Sequence, residues 1–268
     1  MDKIQFGDML SETLLIPLYV KATESQRSDP IIKDTKALEI VNQIDYDFSK
    51  IKLQEHDRVG ILLRVREFDR KIADFLARSE RAIVVHIGCG LDSRFDRVDD
   101  GKVEWFDNDL PEVINARRKW FTEKPRYHLL PFSILKEEWG EYVRPFEGRP
   151  TMFVAEGVLP YFEERQVKTL FLFIRKNFSG SEVVFDAFTP LALTMHNWQL
   201  AFSKMPARLR WGLKSPRDIE QWGPGIRLLS QWYYFEKYEK RLGASQLMRY
   251  FPPLGRSVGI FHYRLCIE

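Results

Sequence analysis

Residues 82–94 constrain the fold of this chain more than any other stretch, and they read Ala-Ile-Val-Val-His-Ile-Gly-Cys-Gly-Leu-Asp-Ser-Arg. A short, nearly unbroken apolar run leads directly into Gly88 and Gly90. Such a run is typical of a parallel strand that is covered on both faces. Because glycine has no side chain, the backbone after the strand can turn sharply and approach a ligand closely. The stretch therefore predicts the first strand of an α/β sheet and a ligand loop, although a plain turn would contain the same glycines.

A second strand is predicted over residues 102–107, and it ends in Asp107, 19 residues after Gly88. In doubly wound sheets, an acid after the second strand accepts hydrogen bonds from the ribose of an adenosine cofactor. The dinucleotide fingerprint requires a third glycine or an alanine where this chain has Ser93. S-adenosylmethionine (SAM) has no diphosphate that needs this third glycine. The spacing therefore favours SAM over a nicotinamide dinucleotide.

Composition narrows the class of protein. The 268 residues suffice for one large domain, and the 44% of hydrophobic residues can fill its core. A net charge of +3 is too small to indicate a nucleic-acid partner. Cys89 and Cys266 lie far apart in strand-like segments, which favours a reducing compartment without disulfides. With no signal-peptide pattern and no apolar stretch of membrane-spanning length, we expect a cytoplasmic protein that has no membrane partner.

Strands and helices alternate regularly after residue 81. Strands are predicted over residues 81–87, 102–107, 126–131, 151–156 and 181–188, and helices over residues 110–122, 134–143 and 163–178. This alternation predicts an α/β fold with a doubly wound, mostly parallel sheet. Strand-like residues 227–234 and an antiparallel last strand over residues 257–267 bring the sheet to seven strands. A further helix is predicted near residues 245–251.

Two helical regions accompany this sheet. Residues 1–80 are predicted as a helical N-terminal cap, with one helix that starts at the turn of residues 28–30 and a long helix over residues 56–79. Residues 190–225 are rich in Trp, Arg and Pro and are predicted as an insertion of short helices. These helices can pack on the sheet edge or form a lid over the substrate pocket, and both interpretations stay open. We expect residues 1–268 to form a single domain.

A second informative stretch covers residues 151–162, where a buried strand is predicted to run into Glu156 and Gly157. Ligands of open α/β sheets bind at the carboxyl ends of the strands. Glu156 follows four apolar residues, and an unpaired carboxylate in the core would be costly. We therefore interpret Glu156 as a site carboxylate, with a helix cap or a surface acid as the alternative.

Five stretches together resemble the leucine carboxyl methyltransferase family, including its bacterial branch of polyketide O-methyltransferases of the tetracenomycin type. They are residues 22–30, 64–69, 86–94, 103–114 and 155–161. The most specific pair is Gly-Leu-Asp-Ser-Arg followed by Asp-x-Asp-Leu-Pro-Glu-Val. The resemblance is close over about residues 15–190 and loose over the remainder. It implies a SAM-dependent enzyme that methylates an oxygen, often that of a carboxylate.

The resemblance also implies roles for individual residues. Arg64 matches the arginine that pairs with the methionyl carboxylate of SAM, and a guanidinium suits that planar partner. Gly88 and Gly90 match the loop under the cofactor. Asp109 matches the acid after the second strand, and Asp107, two places earlier, is a second candidate for this role.

Three further positions follow from the same resemblance. Glu156 matches the acid beside the amino-acid end of SAM. Lys21 or Arg27 supplies an N-terminal contact, and the sequence leaves the choice between them open. The family usually has an acid after the third strand, near the adenine amino group, and this chain has Ser133 there. We therefore expect the Ser133 hydroxyl or a backbone group to take over this contact.

Methyl transfer from a sulfonium is an in-line displacement, in which the protein supplies alignment and desolvation. A carboxylate acceptor is ionised at pH 7 and needs no base. This agrees with a sequence that shows no recognisable catalytic dyad, so Tyr161 and Trp198 are candidates for holding a small-molecule acceptor. The five histidines lack the spacing of metal ligands, and we expect no metal.

The sequence therefore predicts SAM-dependent methylation of a carboxylate on a small molecule, such as a polyketide-like acid. Three alternatives remain open: methylation of a phenol or other hydroxyl, a non-catalytic SAM-binding relative, and a nicotinamide-dependent oxidoreductase.

Overall fold

A computed structural model describes residues 4–5, 12–202 and 208–267. Parts of two predicted regions lie outside the described residues, namely the remainder of the first eleven residues of the N-terminal cap and the gap within the predicted insertion of residues 190–225.

A seven-stranded sheet lies at the centre of the structure. Its strands in chain order are β1 (Ile83–Ile87), β2 (Glu104–Asp109), β3 (Tyr127–Pro131), β4 (Thr151–Ala155), β5 (Ser181–Phe188), β6 (Ile226–Tyr233) and β7 (Val258–Leu265). Two short strands, Ile4–Gln5 and Ile44–Asp45, form a separate parallel pair.

The strands lie side by side in the order β3-β2-β1-β4-β5-β7-β6. The strands β1 to β5 are parallel to one another, whereas β7 is antiparallel to both β5 and β6. The predicted doubly wound, mostly parallel sheet with an antiparallel last strand is confirmed. The strand order reverses between β1 and β4, and the carboxyl ends of two such strands form the crevice in which ligands of this architecture bind.

Helices connect the strands and precede them. In the described part of the chain they are α1 (Glu12–Glu24), α2 (Thr35–Gln43), α3 (Glu55–Ala77), α4 (Arg94–Val98), α5 (Pro111–Arg117), α6 (Glu138–Val143), α7 (Glu164–Asn177), α8 (Pro190–Phe202) and α9 (Pro252–Gly255). Short 3₁₀ helices cover Phe48–Lys50, Arg144–Phe146, Leu159–Tyr161, Pro216–Trp222 and Lys240–Tyr250. No helix among these residues combines enough length with enough apolar character to cross a lipid bilayer.

Apolar side chains pack on both faces of the sheet. On one face, α1, α2 and α3 contribute a cluster that includes Leu18, Ile40 and Phe68. On the other face, α6 and α7 contribute a second cluster that includes Trp139 and Phe171. Because both faces are covered, the central strands β1 and β4 are apolar along nearly their whole length, as the run of residues 82–87 predicts.

The helix predicted from the turn at residues 28–30 begins later, at Thr35. Asp34 caps it, because its Oδ1 accepts a hydrogen bond from the backbone N–H of Ala37 at 2.8 Å. The preceding turn is held by Glu24, whose Oε1 accepts a backbone N–H at 2.6 Å. Proline therefore lies in the connection, and an acid four residues further on starts the helix.

Strand β2 continues two residues past its predicted end at Asp107. Its neighbour β3 sustains the pairing as far as Asp109, which lies opposite Pro131. Asp107 is therefore an interior residue of the strand and is 1% exposed, whereas Asp109 lies at the carboxyl end. Apolar patterning set the predicted boundary at the acid that follows Trp105 and Phe106, but a buried acid with enough hydrogen-bond donors does not end a strand.

Helices α5 and α6 are shorter than the predicted helices of residues 110–122 and 134–143. Beyond α5, Trp120 and Phe121 are buried although they are not helical. Apolar residues at helical spacing indicate burial as well as helical structure. The buried pair after α5 therefore made the predicted helix too long.

The C-terminal region also differs in detail from the prediction. Where the structure describes residues 190–225, they form one regular helix, α8, and one 3₁₀ helix, in place of the several short helices predicted. The helix predicted near residues 245–251 is part of a 3₁₀ segment that is interrupted at Gly243, where φ is +55°. The backbone can take this left-handed value at low cost only because the residue is glycine.

Candidate active site

The loop between β1 and α4 contains both predicted glycines. Gly88 and Gly90 have φ angles of +63° and +51°, in the left-handed region that favours glycine. A Cβ atom on Gly88 would lie 2.3 Å from Cγ2 of Val158, and one on Gly90 would lie 3.0 Å from Cδ2 of Leu14. A side chain would therefore strain the backbone at either position and would clash with Val158 at the first. The loop is a cradle that requires glycine.

Asp109 faces this loop from the end of β2. Its Oδ2 accepts the N–H of Gly90 and its Oδ1 accepts the N–H of Leu110, each at 2.8 Å. Burial raises the pKa of Asp109, and the two backbone N–H groups oppose that rise. The strand end thus holds a carboxylate directly beside the glycine cradle, where a ribose could reach it.

The Asp107 carboxylate forms its hydrogen bonds inside the protein and not at the glycine loop. Its Oδ1 accepts from Nδ1 of His86 at 3.1 Å and from the indole N–H of Trp105 at 2.8 Å. Its Oδ2 accepts from Arg117 and from the hydroxyl of Tyr127. Because both oxygens are engaged below the surface, the structure does not support Asp107 as the second candidate for the ribose contact.

Glu156 follows β4 directly and lies between two arginines. Nε of Arg64 donates to its Oε1 at 2.9 Å, and Arg94 donates to its Oε2. Burial alone would raise the pKa of Glu156, but the two guanidinium groups outweigh burial and lower it. The predicted site residues Arg64, on α3, and Glu156, just after β4, are therefore in direct contact.

Asp186 belongs to the same site, although the sequence analysis did not select it. It lies on β5, its Oδ2 is 3.2 Å from Nη1 of Arg64, and its Oδ1 accepts the N–H of Gly157 at 2.6 Å. Burial raises its pKa, and Arg64 opposes that rise. One signal could have revealed it: Asp186 interrupts the apolar end of a strand, in Val-Val-Phe-Asp-Ala-Phe.

The two candidates for the N-terminal contact lie in different surroundings. Lys21 is 2% exposed, donates to Asp92 after the glycine loop, and lies 3.5 Å from Asp34. The Arg27 side chain is 44% exposed, and its guanidinium is 3.8 Å from Asp29 on the surface. The structure therefore brings Lys21, and not Arg27, to the neighbourhood of the loop.

Among the described residues, ion pairs join nine charged side chains below the loop into one network. Its four cations and five acids leave one negative charge, and they are Lys21, Arg64, Arg94, Arg97, Asp34, Asp69, Asp92, Glu156 and Asp186. Buried charges are costly unless they are balanced. A ligand that carries a net positive charge would complete this balance.

Ser133, which the resemblance places near the adenine, lies in the loop after β3. Ser133 is half-buried, and its Oγ accepts the N–H of Leu135 at 3.4 Å. Beside it, Nδ2 of Asn108 donates to the carbonyl oxygen of Phe132 at 2.9 Å. Within the described part of the chain, the buried Oδ1 of Asn108 has no hydrogen-bond partner. A buried acceptor of this kind is uncommon in proteins, and it is a second polar group next to Ser133.

The two predicted acceptor-holding residues are not equivalent. Tyr161 lies in the 3₁₀ helix after β4, and burial raises the pKa of its hydroxyl, with Arg64 opposing the rise and Asp186 adding to it. It is therefore close to the Arg64 site. Trp198 lies on α8 and is 69% exposed. The structure does not bring Trp198 together with Tyr161.

Two side chains that the sequence analysis missed also approach Arg64. His196 lies on α8 and stacks on Phe188 with ring centroids 5.2 Å apart. Burial lowers the pKa of His196, and Arg64 lowers it further. Tyr234 lies just after β6, and burial raises its pKa while Arg64 opposes the rise. Neither residue lies in a motif, so only the packing of the C-terminal region reveals them.

The residues at this edge of the sheet suit an adenosine cofactor with an amino-acid tail. Glycines permit close approach, an acid lies at the end of β2, and charged groups surround Arg64. In the described residues, no cluster of three or more His, Cys, Asp or Glu side chains is arranged to hold a metal ion. Fold and site together define the class of α/β methyltransferases that use SAM.

Comparisons with known proteins identify the family. The model of the leucine carboxyl methyltransferase family matches residues 15–175. The tetracenomycin polyketide synthesis O-methyltransferase TcmP of Streptomyces glaucescens is 34% identical over 222 residues, which cover 82% of each chain. The SAM-dependent methyltransferase dpfgK of Gibberella zeae is 29% identical and covers 87% of this chain and 84% of its own. This chain belongs to the leucine carboxyl methyltransferase family and is a SAM-dependent methyltransferase.

Solved structures agree on the fold. A putative methyltransferase from Thermobifida fusca superimposes with a TM-score of 0.58 at 14% identity, covering 92% of this chain and 94% of its own. A SAM-dependent methyltransferase from Anabaena variabilis gives a TM-score of 0.52 at 10% identity, covering 80% and 96%. The sheet and its helical layers are therefore shared with methyltransferases whose sequences have diverged widely.

Proposed function

We propose that this protein transfers the methyl group of SAM to a carboxylate oxygen of a small molecule. The observation that carries the proposal is the convergence of Arg64, the glycine loop, Asp109 and Glu156 at one edge of the sheet. The name of the Streptomyces relative refers to polyketide synthesis, which supports a polyketide-like acid as the acceptor.

In this proposal each part of SAM meets a matching group. Arg64 binds the methionyl carboxylate with its planar guanidinium, and Glu156 binds the adjacent ammonium. Asp109 accepts hydrogen bonds from the ribose hydroxyls above Gly88 and Gly90. The adenine reaches the loop after β3, where the Ser133 hydroxyl and the side-chain Oδ1 of Asn108 supply polar contacts.

The charge of the site supports the same cofactor. SAM carries a sulfonium, an ammonium and a carboxylate, so its net charge is positive. The ion-pair network below the loop has one acid in excess. Binding of SAM neutralises that excess, whereas a nicotinamide dinucleotide would bring additional negative phosphates to it.

The bound cofactor supplies an activated methyl group, and the protein aligns the acceptor and excludes water. A carboxylate acceptor is already ionised at neutral pH, so the site needs no base. Tyr161 can donate its hydroxyl to the acceptor, because its raised pKa keeps the proton in place. Helix α8, which carries His196, covers this pocket in the proposal, whereas Trp211 of the predicted insertion is buried in the core.

Methylation of a phenol or other hydroxyl is the second candidate, and one observation favours it. His196 lies near Arg64, and its lowered pKa keeps the imidazole neutral at pH 7. A neutral imidazole can accept the proton that a hydroxyl must lose. The carboxylate remains our choice because carboxyl methylation gives the family its name.

An acceptor screen with isotopically labelled SAM tests the proposal. A methyl ester product releases methanol in mild alkali, whereas an aryl methyl ether survives. We expect a labile product from the native acceptor, and an alkali-stable one would overturn the carboxylate assignment. Calorimetry with SAM and NAD tests the cofactor separately, and we expect only SAM to bind.

A further inference from the structure

A cleft of about 510 Å³ opens at the edge of the sheet opposite the active site. It lies where β1, β4 and β5 begin, and its lining includes Arg78, Arg149, Arg264, Ser181 and Glu182. The proposed cofactor contacts follow the carboxyl ends of the strands, so this cleft is a separate site.

Glu182 forms the floor of the cleft and holds two of its arginines. It is 2% exposed, its Oε1 accepts from Nη2 of Arg264 at 2.8 Å, and its Oε2 accepts from Arg78 and from Nε2 of His262. Burial alone would raise the pKa of Glu182, but these hydrogen bonds lower it well below its usual range. An ionised carboxylate therefore fixes both guanidinium groups in place, so the two arginine side chains lose less conformational entropy when a ligand binds.

The two arginines keep most of their hydrogen-bonding capacity. Each guanidinium has five N–H donors in a fork that suits phosphate and carboxylate. In the described residues, Arg78 and Arg264 each use one nitrogen, Nη2, to donate to Glu182. Both side chains are 45% exposed, so their other N–H groups are available to a ligand.

Three arginines and two acids, Glu147 and Glu182, line the cleft, so the lining carries a net positive charge. The third arginine, Arg149, donates to the backbone carbonyl of Arg81 and lies 3.7 Å from Glu104, so the free donors are mainly those of Arg78 and Arg264. Arg227 on β6 lies directly opposite Arg264 on β7, and in the described part of the chain it has no ion-pair partner. Like charges directly opposite each other destabilise an antiparallel pair. An anion bound in the cleft would relieve this repulsion.

Ser181 supplies an independent observation. It is the first residue of β5, it lines the cleft, and it is 2% exposed. Its Oγ has no hydrogen-bond partner among the described residues. A buried hydroxyl without a partner is costly, so an acceptor in the cleft would satisfy it.

We propose that this cleft binds a dianionic phosphate group, either of inorganic phosphate or of a small phosphate ester. Arg78 and Arg264 donate hydrogen bonds from their guanidinium N–H groups to the phosphate oxygens, and the Ser181 hydroxyl donates a further hydrogen bond. Glu182 does not touch the ligand and acts as a positioning residue for both arginines.

Calorimetric titration of the full chain in phosphate-free buffer tests the proposal with inorganic phosphate and with glycerol 3-phosphate. We expect saturable binding of at least one of them, and the comparison shows whether free phosphate or an ester is preferred. Arg78→Gln and Arg264→Gln should each weaken it at least tenfold. Arg70→Gln is the matched control, because Arg70 lies on α3, the helix that ends just before Arg78, is 52% exposed and pairs with Glu67 and Asp74.

Three results would overturn the proposal: no saturable binding of either compound, an equal loss in Arg70→Gln, or binding of the dicarboxylate malonate as tightly as phosphate. Arg264→Lys keeps the charge beside Glu182 and removes the fork, so it separates ligand binding from folding. Undiminished phosphate binding by Arg264→Lys would contradict the bidentate contact. SAM affinity, measured in the same variants, should stay unchanged.

Discussion

Arg64 and Asp186 lie 122 residues apart in the sequence, and Nη1 of Arg64 lies 3.2 Å from Oδ2 of the buried Asp186. The same guanidinium donates from Nε to Glu156. The arginine that we propose for the methionyl carboxylate is therefore held by two acids, one just after β4 and one on β5. Its position is set before any cofactor binds, which favours the ordered alignment that methyl transfer needs.

Replacing Arg64 should weaken SAM binding strongly. Arg64→Ala removes the proposed partner of the methionyl carboxylate and leaves charged groups unpaired, which typically costs ~2–5 kcal/mol. Arg70→Ala, on the solvent side of the same helix, should change SAM affinity little, because its side chain is 52% exposed. Calorimetry on both variants is the measurement. Equal effects from the two substitutions would show that the cofactor binds elsewhere.

Asp109 and Asp107 should respond differently to replacement by asparagine. Asp109→Asn should weaken SAM binding and leave the fold nearly intact. Asp107→Asn breaks a buried pair with Arg117, which typically costs ~3–5 kcal/mol of folding free energy. Urea unfolding and SAM titration of both variants separate the two roles. A stable Asp107→Asn protein that has lost SAM binding would show that Asp107, and not only Asp109, contacts the ribose.

Asp107 should also make the fold sensitive to acid. Burial alone would raise its pKa, but Arg117 and His86 outweigh burial and lower it from 3.8 to about 2. Because the pKa of Asp107 is lower in the folded state than in the unfolded state, its ionised carboxylate stabilises the fold. This contribution of about 2 kcal/mol is fully present at pH values above the unfolded pKa of ~3.9 and is lost progressively as the pH falls through 2.

The acid effect can be measured by urea unfolding at pH 5 and pH 3. The free energy of unfolding of the wild type should decrease between these two values, and that of Asp107→Asn should decrease less. Parallel decreases in the two proteins would assign the acid sensitivity to other groups.

Substitutions of Trp198 and Trp211 should have different effects, because we expect Trp198 to contact the acceptor and Trp211 to pack in the core. Trp211 is 4% exposed and stacks on Phe185 with centroids 5.9 Å apart, so Trp211→Ala should destabilise the fold by ~3–5 kcal/mol. Trp198 is exposed, and Trp198→Ala should leave the thermal transition nearly unchanged while altering acceptor preference. Unchanged acceptor preference in this variant would remove Trp198 from the acceptor pocket.

The pH dependence of the chemical step distinguishes the two acceptor classes. With a carboxylate acceptor of pKa near ~4, the single-turnover rate should be flat between about pH 6 and pH 8. With an unassisted phenol it should rise about tenfold per pH unit, and an enzyme base would bend that rise near its own pKa. A bend that disappears in His196→Asn would contradict the carboxylate proposal and would identify His196 as the base.

Local patterns sufficed for the parts of the site that lie in short motifs. The strand–glycine loop at Gly88 and the strand end at Glu156 could both be predicted, because each combines an apolar run with a following glycine or acid, and the matching motifs of the family favoured a site over a plain turn or a surface acid. The choice between Asp107 and Asp109 could not be read in this way. It depended on how far β3 continues to pair with β2, and pairing between strands is not a local property.

The alternation of strands and helices, the glycine loop and the family could be predicted from the sequence, because they depend on apolar periodicity and on residues that are close together in the chain. The folded structure was needed to show that Lys21 and not Arg27 lies near the loop, that Asp186 pairs with Arg64, and that Trp198 faces solvent. Each of these depends on contacts between segments that are far apart in the sequence. The physical reason is that burial and electrostatic pairing, which give a charged side chain its role, are set by the folded surroundings and not by the residue's neighbours in the chain.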